Sequence, residues 1–256
     1  MKNIALITGA SSGLGKEFVR QIVQRGAPNE IWVIARRRER LEELVHAFPC
    51  TIVPIPLDLT EAASYTLLEE RLQKEQPHIE YLVCAAGMGR IGLTEQTSAQ
   101  DTDRMIELNC RALARVTQAC LPYMHAGSKI LEIASVAGFH PLPAFNLYAA
   151  TKAFVLSYTK TLHFECRKKG IHVTAVCPYW VKDTEFIPTA STADNAGFRH
   201  FPFAQKTEDV VRRALDASEN NVCVCTPGIV PTVDRVLAKT LPHGLMMRGL
   251  DIFRRL

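Results

Sequence analysis

Tyr148 and Lys152 stand four residues apart within the apolar stretch FNLYAATKAFVLSYTKTL. Four residues make about one turn of an α-helix, so the two side chains share a face. A free phenol has a pKa of about 10, and a nearby cation favours the phenolate and lowers that pKa. The pair could therefore be a proton donor tuned by a cation, whereas a solvated polar stripe is the simpler interpretation.

A glycine-rich loop, TGASSGLG at residues 8–15, follows a short apolar run and precedes a helical pattern. Its glycines, Gly9, Gly13 and Gly15, permit a tight turn and a close approach of the backbone. The start of the following helix offers free N–H groups to a pyrophosphate. This context favours a dinucleotide site over a plain turn.

The choice of cofactor depends on the residues after the second apolar run, which ends at Ala35 and continues with Arg36, Arg37 and Arg38. An NAD enzyme usually has Asp or Glu here, whereas a guanidinium can pair with the 2′-phosphate of NADP. We predict NADP(H), with NAD(H) as the less favoured alternative; a solvated basic helix start is the structural alternative. Asp58 in LDLT could bind the adenine amino group or mark the next helix start.

Short apolar runs alternate with longer amphipathic segments along the chain. Strands are predicted at 3–8, 30–35, 51–59, 80–87, 128–135, 171–178 and 221–228, the fourth run ending in a turn. Helices are predicted at 15–26, 38–48, 61–75, 98–124, 147–169 and 207–217. The alternation predicts an α/β fold with a parallel sheet of about seven strands and helices on both faces, in a single domain spanning 1–256. The irregular segment 183–205 is predicted to be a functional loop.

Composition excludes several classes of protein. The net charge of +4 on 256 residues is mild, and no Lys/Arg block is longer than RRR, so no nucleic-acid partner is expected. No apolar run approaches a membrane span or a signal peptide. The eight scattered cysteines contain only one close pair, C-x-C at 223–225, which is a poor zinc site. We expect free buried thiols, no metal and a cytoplasmic location.

Further motifs, CAAG (84–87), Asn109, Ser135 and Pro178, accompany TGASSGLG, LDLT and YAATK. In this order they resemble the motifs of the short-chain dehydrogenase/reductase family over residues 8–178. The resemblance implies a Rossmann-type doubly wound fold and nicotinamide-dependent interconversion of alcohols and ketones.

The same resemblance implies a catalytic tetrad of Asn109, Ser135, Tyr148 and Lys152. Tyr148 would exchange a proton with the carbonyl oxygen, and Ser135 would hold that oxygen. Lys152 would also hold the ribose hydroxyls, and Asn109 would anchor a water that relays protons.

The cofactor-binding residues that the resemblance implies are Gly9, Ser11, Ser12, Gly13, Leu14, Gly15, Arg36, Arg37, Asp58, Leu59, Ala85, Ala86, Gly87, Tyr148, Lys152, Pro178 and Val181. Three positions depart from the family pattern. Ala85 stands where Asn is common, and Tyr179 stands where Gly usually follows Pro178. The usual Thr comes one residue late, so either Thr184 or Asp183 could contact the nicotinamide carboxamide.

The Tyr179 departure, the segment 148–173 and the tail 224–256 resemble a branch that holds 17β-hydroxysteroid dehydrogenases and very-long-chain 3-oxoacyl reductases. A bulky apolar ketone, such as a hydroxysteroid or 3-oxoacyl compound, is the substrate class this implies. The expected substrate residues are Phe139, Leu142, Phe145, Tyr179, Trp180 and Phe186, with Phe198, Phe201 and Phe203 from the loop 183–205. An ordinary core under an amphipathic lid is the alternative.

Two other functions compete with this one. A dehydrogenase of a small polar carbonyl, such as a sugar or hydroxy acid, would use Arg90, Asn146 and Arg199; a non-catalytic NADP-binding regulator is less favoured because the tetrad is complete. The resemblance also implies a homodimer or homotetramer paired through the helices 98–124 and 147–169. The C-terminal extension, 228–256, is apolar and basic, so it could cover such a surface or touch a membrane, although no membrane association is expected.

Overall fold

The computed structural model describes residues 2–26, 28–191 and 202–255, with side chains described as far as Ile252. Strands and helices alternate along most of the chain. The strands are β1 (Asn3–Thr8), β2 (Glu30–Ala35), β3 (Thr51–Pro56), β4 (His78–Cys84), β5 (Lys129–Ile133), β6 (His172–Val176) and β7 (Val224–Cys225). The helices are α1 (Gly13–Gln24), α2 (Arg38–Ala47), α3 (Ala62–Glu75), α4 (Ala99–Ile106), α5 (Leu113–Cys120), α6 (Asn146–Cys166), α7 (Phe186–Ala190), α8 (Thr207–Glu219), α9 (Ile229–Thr240) and α10 (His243–Arg255).

The seven strands form one parallel sheet in the order β3-β2-β1-β4-β5-β6-β7. The order reverses between β1 and β4, which makes a crevice at the carboxyl ends of the strands. The predicted Rossmann-type doubly wound fold in a single domain is therefore confirmed.

Both faces of the sheet are buried, which is why its strands are continuous apolar runs rather than alternating ones. In β1, Ile4 and Leu6 join the core cluster on one face, while Ala5 and Ile7 join the cluster on the other. Helices α3, α5 and α6 cover the first face, and α1, α2 and α8 cover the second.

The third strand contains two prolines, Pro54 and Pro56, and pairs only with β2 at the edge of the sheet. Proline lacks the N–H that a central strand must donate on both sides, so an edge strand tolerates it. The strand ends at Pro56, earlier than the predicted residue 59. The predicted last strand, 221–228, is reduced to Val224–Cys225.

The predicted continuous helix at 98–124 is wrong in its middle. A π-helical segment, Glu107–Ala112, separates α4 from α5 and contains Asn109. Such segments are uncommon and often lie at functional sites.

The eight cysteines are all free thiols, as predicted, and five of them are buried. Over the described part of the chain, no group of three His, Cys, Asp or Glu side chains could hold a metal ion. Within the same ranges, every helix is too short or too polar to cross a membrane. The C-terminal extension forms α9 and α10.

Candidate active site

The glycine loop packs directly on the end of β4. A Cβ on Gly9, whose φ is +68°, would lie 2.7 Å from the Ala86 nitrogen, and one on Gly15 would lie 2.3 Å from the Gly9 oxygen. Only glycine fits at either place. The Thr8 hydroxyl accepts a hydrogen bond from the Ala86 N–H at 3.1 Å. Thr8, which the sequence did not single out, therefore holds the neighbourhood in which Ala85 stands for the usual Asn.

Arg37 is the arginine that reaches the glycine loop. Its Nη2 donates to the hydroxyls of Ser11 and Ser12 at 3.1 and 3.2 Å and pairs with Glu185 at 2.9 Å. Arg40 pairs with the other oxygen of the same carboxylate. Sequence reasoning missed Arg40 and Glu185, because Glu185 lies far along the chain.

Arg36 is 62% exposed, and its nearest acid is Asp58, with Nη1 4.0 Å from the carboxylate. Asp58 accepts hydrogen bonds from the Thr60 N–H and hydroxyl at 3.0 and 2.7 Å. Burial opposes ionisation of Asp58, but the bonds from Thr60 outweigh it and hold its pKa below the usual range. Asp58 therefore builds the turn before α3, while both residues still line the cavity described below.

Three of the four tetrad residues meet at the end of β5. Ser135 lies two residues beyond that strand, and Tyr148 and Lys152 occupy the first two turns of α6. All three are buried. The Lys152 ammonium donates to the Ile133 carbonyl at 2.6 Å and lies 5.6 Å from the centre of the Tyr148 ring. The shared face expected from the four-residue spacing is present.

The expected electrostatic tuning of Tyr148 is wrong for the protein alone. Burial raises the pKa of Tyr148 above the usual value, and a hydrogen bond with Ser135 only partly opposes this. Burial also lowers the pKa of Lys152 to about 8. The exclusion of water shifts each group towards its neutral form, but a pKa of about 8 leaves Lys152 mostly charged at pH 7. Tyr148 is thus a protonated phenol near neutral pH.

Asn109 joins the end of β4 to α6. Its Oδ1 accepts from the Met88 N–H at 2.9 Å, while its Nδ2 donates to the Met88 carbonyl at 2.8 Å and to the Thr151 hydroxyl at 3.0 Å. A Cβ on Gly87 would lie 3.2 Å from that Oδ1 and 3.7 Å from the Lys152 ammonium. Asn109 therefore lies next to Lys152, behind Gly87.

One cavity of about 750 Å³ joins these groups. Its wall includes the glycine loop, Arg36, Arg37, Ser135, Tyr148 and Lys152. Of the predicted substrate residues, it includes Leu142, Phe145, Tyr179, Trp180 and Phe186. Also in the wall are Leu59, Ala85, Ala86, Gly87, Pro178 and Val181.

Two predicted substrate residues are wrongly placed. Phe139 follows the short turn Val136–Gly138 and packs against the core cluster on the face covered by α6, outside the lining of the cavity. Phe203 is 80% exposed. Phe198 and Phe201 lie outside the described residues.

The aromatic rings of the wall contact one another. The ring centre of Phe145 lies 4.3 Å from that of Tyr148 and 5.7 Å from that of Trp180, and both pairs are stacked. The ring centre of Phe186 lies 5.3 Å from that of Tyr148, and this pair is tilted. A Cβ on Gly89 would lie 2.9 Å from Phe186 and 3.0 Å from Phe145. The catalytic candidate Tyr148 is thus one member of an apolar wall.

Thr184 and Asp183, the two alternatives for a contact with the nicotinamide carboxamide, have different surroundings. Asp183 accepts from the Thr207 N–H and hydroxyl at 2.9 Å each, so it fixes the start of α8. Thr184 lines the cavity, donates to the Val181 carbonyl at 3.0 Å and lies beside Gly13. Thr184 is therefore the residue placed to reach a cofactor.

Two of the three polar residues proposed for a small substrate, Arg90 and Asn146, bind other groups of the protein. Arg90 pairs with Asp101 at 3.1 Å and donates to the Thr189 carbonyl, although it lines the cavity. Asn146 donates to the Thr94 hydroxyl at 2.7 Å, and Arg199 lies outside the described residues.

The C-terminal extension contributes to the cavity, which the sequence did not predict. Asp234 of α9 and Leu250 of α10 lie in its wall. Asp234 pairs with buried His140 at 3.1 Å, and this pair ties α9 to the segment after Ser135.

These features fit a dinucleotide: glycines at close approaches, a helix start behind them and basic side chains beside them. A family model described as short chain dehydrogenase matches residues 3–195. The chain belongs to the short-chain dehydrogenase/reductase family. As a member, it is an NAD(P)-dependent oxidoreductase acting on CH–OH groups.

Individual relatives of this short-chain dehydrogenase are also oxidoreductases. It is 33% identical to the NADP-dependent 3-hydroxy acid dehydrogenase of Escherichia coli K12 over 187 residues, which cover 72% of this chain and 74% of that protein. Among solved structures, a short-chain dehydrogenase from Sphingobium yanoikuyae in complex with NADPH is 29% identical, with a TM-score of 0.78 and coverage of 96% and 95%. The bulky-bulky ketone specific alcohol dehydrogenase from Comamonas testosteroni is 28% identical, with a TM-score of 0.74 and coverage of 94% and 95%.

Proposed function

We propose that this short-chain dehydrogenase is an NADP(H)-dependent ketone reductase and secondary-alcohol dehydrogenase for bulky apolar substrates, such as a hydroxysteroid or a 3-oxoacyl compound. The observation that carries the proposal is a single cavity whose wall includes Arg37, the glycine loop, Tyr148 and three aromatic side chains, Phe145, Trp180 and Phe186. Phe145 stacks on both Tyr148 and Trp180. A wall with this much aromatic and aliphatic surface suits a large apolar ligand.

Tyr148 is the proton donor in this proposal. Its phenol is protonated at pH 7, as any phenol with a pKa of about 10 would be, and burial raises that pKa further, so it carries the proton that a carbonyl oxygen needs on reduction. The Ser135 hydroxyl, which hydrogen-bonds with Tyr148, holds the same oxygen. The bound nicotinamide supplies the hydride.

Lys152 and Asn109 act behind the reacting atoms. The Lys152 ammonium already binds the Ile133 carbonyl, and its remaining N–H groups hold the ribose hydroxyls. Asn109 fixes Gly87 and Met88 against α6, which keeps the cavity wall beside Lys152 in place.

Arg37 and Arg36 set the preference for NADP(H). Arg37 donates to Ser11 and Ser12 and forms an ion pair with Glu185. When a 2′-phosphate binds, Arg37 would exchange the Glu185 carboxylate for the phosphate. Arg36 lines the same cavity. The NADPH complex of the Sphingobium yanoikuyae relative supports this assignment.

A homodimer or homotetramer is part of the proposal. Ile106 of α4 and Phe154 of α6 are 44% and 42% exposed, on the two helices that were predicted to pair between subunits. The free thiols support a cytoplasmic location.

The test is NADPH oxidation by the purified protein with steroid ketones, 3-oxoacyl thioesters and small sugars or hydroxy-acid precursors at equal concentration. We expect kcat/KM to be at least tenfold higher for one of the two bulky apolar classes, because the stacked wall buries more of their surface. The highest kcat/KM with a small polar carbonyl would overturn the substrate proposal.

A further inference from the structure

Glu132 is a fully buried carboxyl group in the middle of β5, three residues before Ser135. It bridges two helices. The Thr117 hydroxyl of α5 donates to its Oε1 at 2.9 Å, and its Oε2 lies 2.6 Å from the Thr159 hydroxyl of α6. The proposed chemistry does not use Glu132 directly.

The number of hydrogens available for the hydrogen bonds of this bridge indicates whether Glu132 is ionised. The Thr159 hydroxyl has one hydrogen, yet it lies 2.6 Å both from Glu132 Oε2 and from the Val155 carbonyl oxygen. A carbonyl oxygen can only accept, so Thr159 donates to Val155 if Glu132 carries a proton to donate. An ionised carboxylate would leave two acceptors competing for one hydrogen.

A protonated Glu132 satisfies every group in the bridge. Its Oε2–H donates to Thr159, which donates to the Val155 carbonyl. Its Oε1 accepts from Thr117, which lies 3.6 Å from the Cys84 thiol and can accept from it. Each donor then has one acceptor, as buried polar groups require.

The surroundings of Glu132 favour this neutral form. The titratable groups that interact with it are Cys84 on β4, and Tyr158 and Cys166 on α6, none of which carries a positive charge. Burial raises the pKa of Glu132 to about 7, and the two threonine contacts only partly oppose this.

We infer that Glu132 is a positioning residue that acts as a neutral carboxylic acid and clamps α5 and α6 onto β5. The clamp is close to the catalytic candidates. The carbonyl of Ile133, the next residue, accepts a hydrogen bond from the Lys152 ammonium. Thr159 follows Lys152 by about two turns of α6. Its catalytic consequence rests on the proposed function; its protonation state does not.

Ionisation of Glu132 should weaken the clamp. The carboxyl pKa is about 7 in the folded protein against a usual value of 4.5, so the folded state binds the proton more tightly than the unfolded state. Glu132 therefore costs no stability below pH 4.5, costs progressively more up to pH 7, and costs a constant amount above it.

Glu132→Gln tests the charge, because an amide offers the same donor and acceptor pair without ionising. We expect the unfolding constant of the parent, relative to that of the variant, to rise by up to about tenfold per pH unit between about pH 5 and 7. It should be constant above that range. A ratio that does not change with pH, or that falls as the pH rises, would overturn the neutral acid.

Infrared spectroscopy gives a second measurement that does not depend on unfolding. At pH 6 the parent should show the carbonyl stretch of a protonated, buried carboxyl group, and Glu132→Gln should lack it. Its absence from the difference spectrum of a folded variant would contradict the inference.

Thr174→Val is the matched control, because Thr174 is equally buried and donates to the Val222 carbonyl without touching Glu132. It should lower stability by the same amount at each pH.

Turnover tests positioning: Glu132→Gln should keep the single-turnover rate within about twofold at pH 6, whereas Glu132→Ala should lose about tenfold or more. Equal rates in both variants would overturn the positioning role, and a protein without ketone reductase activity would leave the stability and infrared results decisive.

Discussion

Tyr148 occupies an apolar wall, and burial there makes its phenol harder to deprotonate. The pKa of Tyr148 is raised and that of Lys152 is lowered to about 8, in both cases chiefly because water is excluded. A donor that holds its proton at neutral pH suits reduction of a ketone. Deprotonation of Tyr148 near neutral pH would need a further positive charge, and oxidised nicotinamide carries one.

Tyr148→Phe removes one oxygen and keeps the stacking with Phe145. Single-turnover reduction of a confirmed ketone should fall by about 10²–10⁴-fold, the usual loss of a general acid. Cofactor affinity, measured by quenching of protein fluorescence, should stay within a few-fold. Tyr158→Phe on the same helix is the control and should keep its rate; a Tyr148→Phe rate within fivefold of the parent would contradict the assignment.

The buried charge of Lys152 should lower the free energy of unfolding at neutral pH. Its folded pKa of about 8 lies below the usual 10.5, so its charge opposes folding below about pH 8 and ceases to do so as the pH approaches 10.5. Lys152→Met should unfold at higher denaturant than the parent at pH 7, by about 3 kcal/mol at most. The gain should shrink between pH 8 and 10; a variant less stable at pH 7 would show that the ammonium bonds outweigh burial.

Arg37 should decide cofactor preference more than Arg36, because Arg37 is the one that reaches Ser11 and Ser12. Arg37→Ala should weaken NADPH binding by at least about tenfold and NADH binding much less, since a guanidinium–phosphate pair is worth more than about 1.4 kcal/mol. Titration calorimetry with both cofactors measures the difference. Equal losses for both would show that Arg37 is structural.

Glu185 provides the converse change. Its carboxylate pairs with Arg37 and Arg40, where it competes with a 2′-phosphate. Glu185→Gln should therefore tighten NADPH binding and leave NADH binding nearly unchanged. Glu39→Gln, at an exposed residue of α2, is the control and should affect neither cofactor.

At the scale of elements, the β1–α1 loop and the end of β4 are closely packed. Gly15→Ala places a methyl group 2.3 Å from the Gly9 oxygen, so backbone must move. We expect a loss of roughly 2 kcal/mol or more in unfolding free energy and a large loss of cofactor affinity. Gly244→Ala is the control, because its Cβ would meet no atom within 4 Å. A Gly15→Ala variant with normal cofactor affinity would contradict the proposed cradle.

The π-helical segment is the second feature at this scale. It interrupts the helix between α4 and α5 where the Asn109 amide bonds both Met88 and Thr151. A regular α-helix would present Asn109 in a different direction, so the extra backbone residue in that turn accompanies a functional side chain.

At the scale of the whole molecule, exposed aromatic and aliphatic side chains on α4 and α6 favour self-association. Phe154→Glu would place a charge in the proposed interface, where burying it unpaired is costly. Sedimentation at micromolar concentration should give a dimer or tetramer for the parent and a smaller species for Phe154→Glu. Phe203→Glu, at a residue that is 80% exposed outside these helices, should leave the mass unchanged. A monomeric parent would refute the oligomer.

The sequence alone determined the features that depend on local spacing. The order of strands and helices, the glycine loop and the shared face of Tyr148 and Lys152 each follow from the periods of helices and strands and from the freedom of glycine. These rules act within a few residues, so they can be applied before the chain is folded. Ser135 and Asn109 were found only because the family resemblance joined them to the rest.

Only the tertiary structure decided which distant side chains meet and which are shielded from water. Glu185 reaches Arg37 from 148 residues away, Asp234 reaches the cavity from the C-terminal extension, and Phe139 turns into the core although Phe145 lines the cavity. Burial likewise reversed the expected shift of the Tyr148 pKa. Contact and dielectric depend on the packing of the whole chain, and sequence spacing carries no information about either.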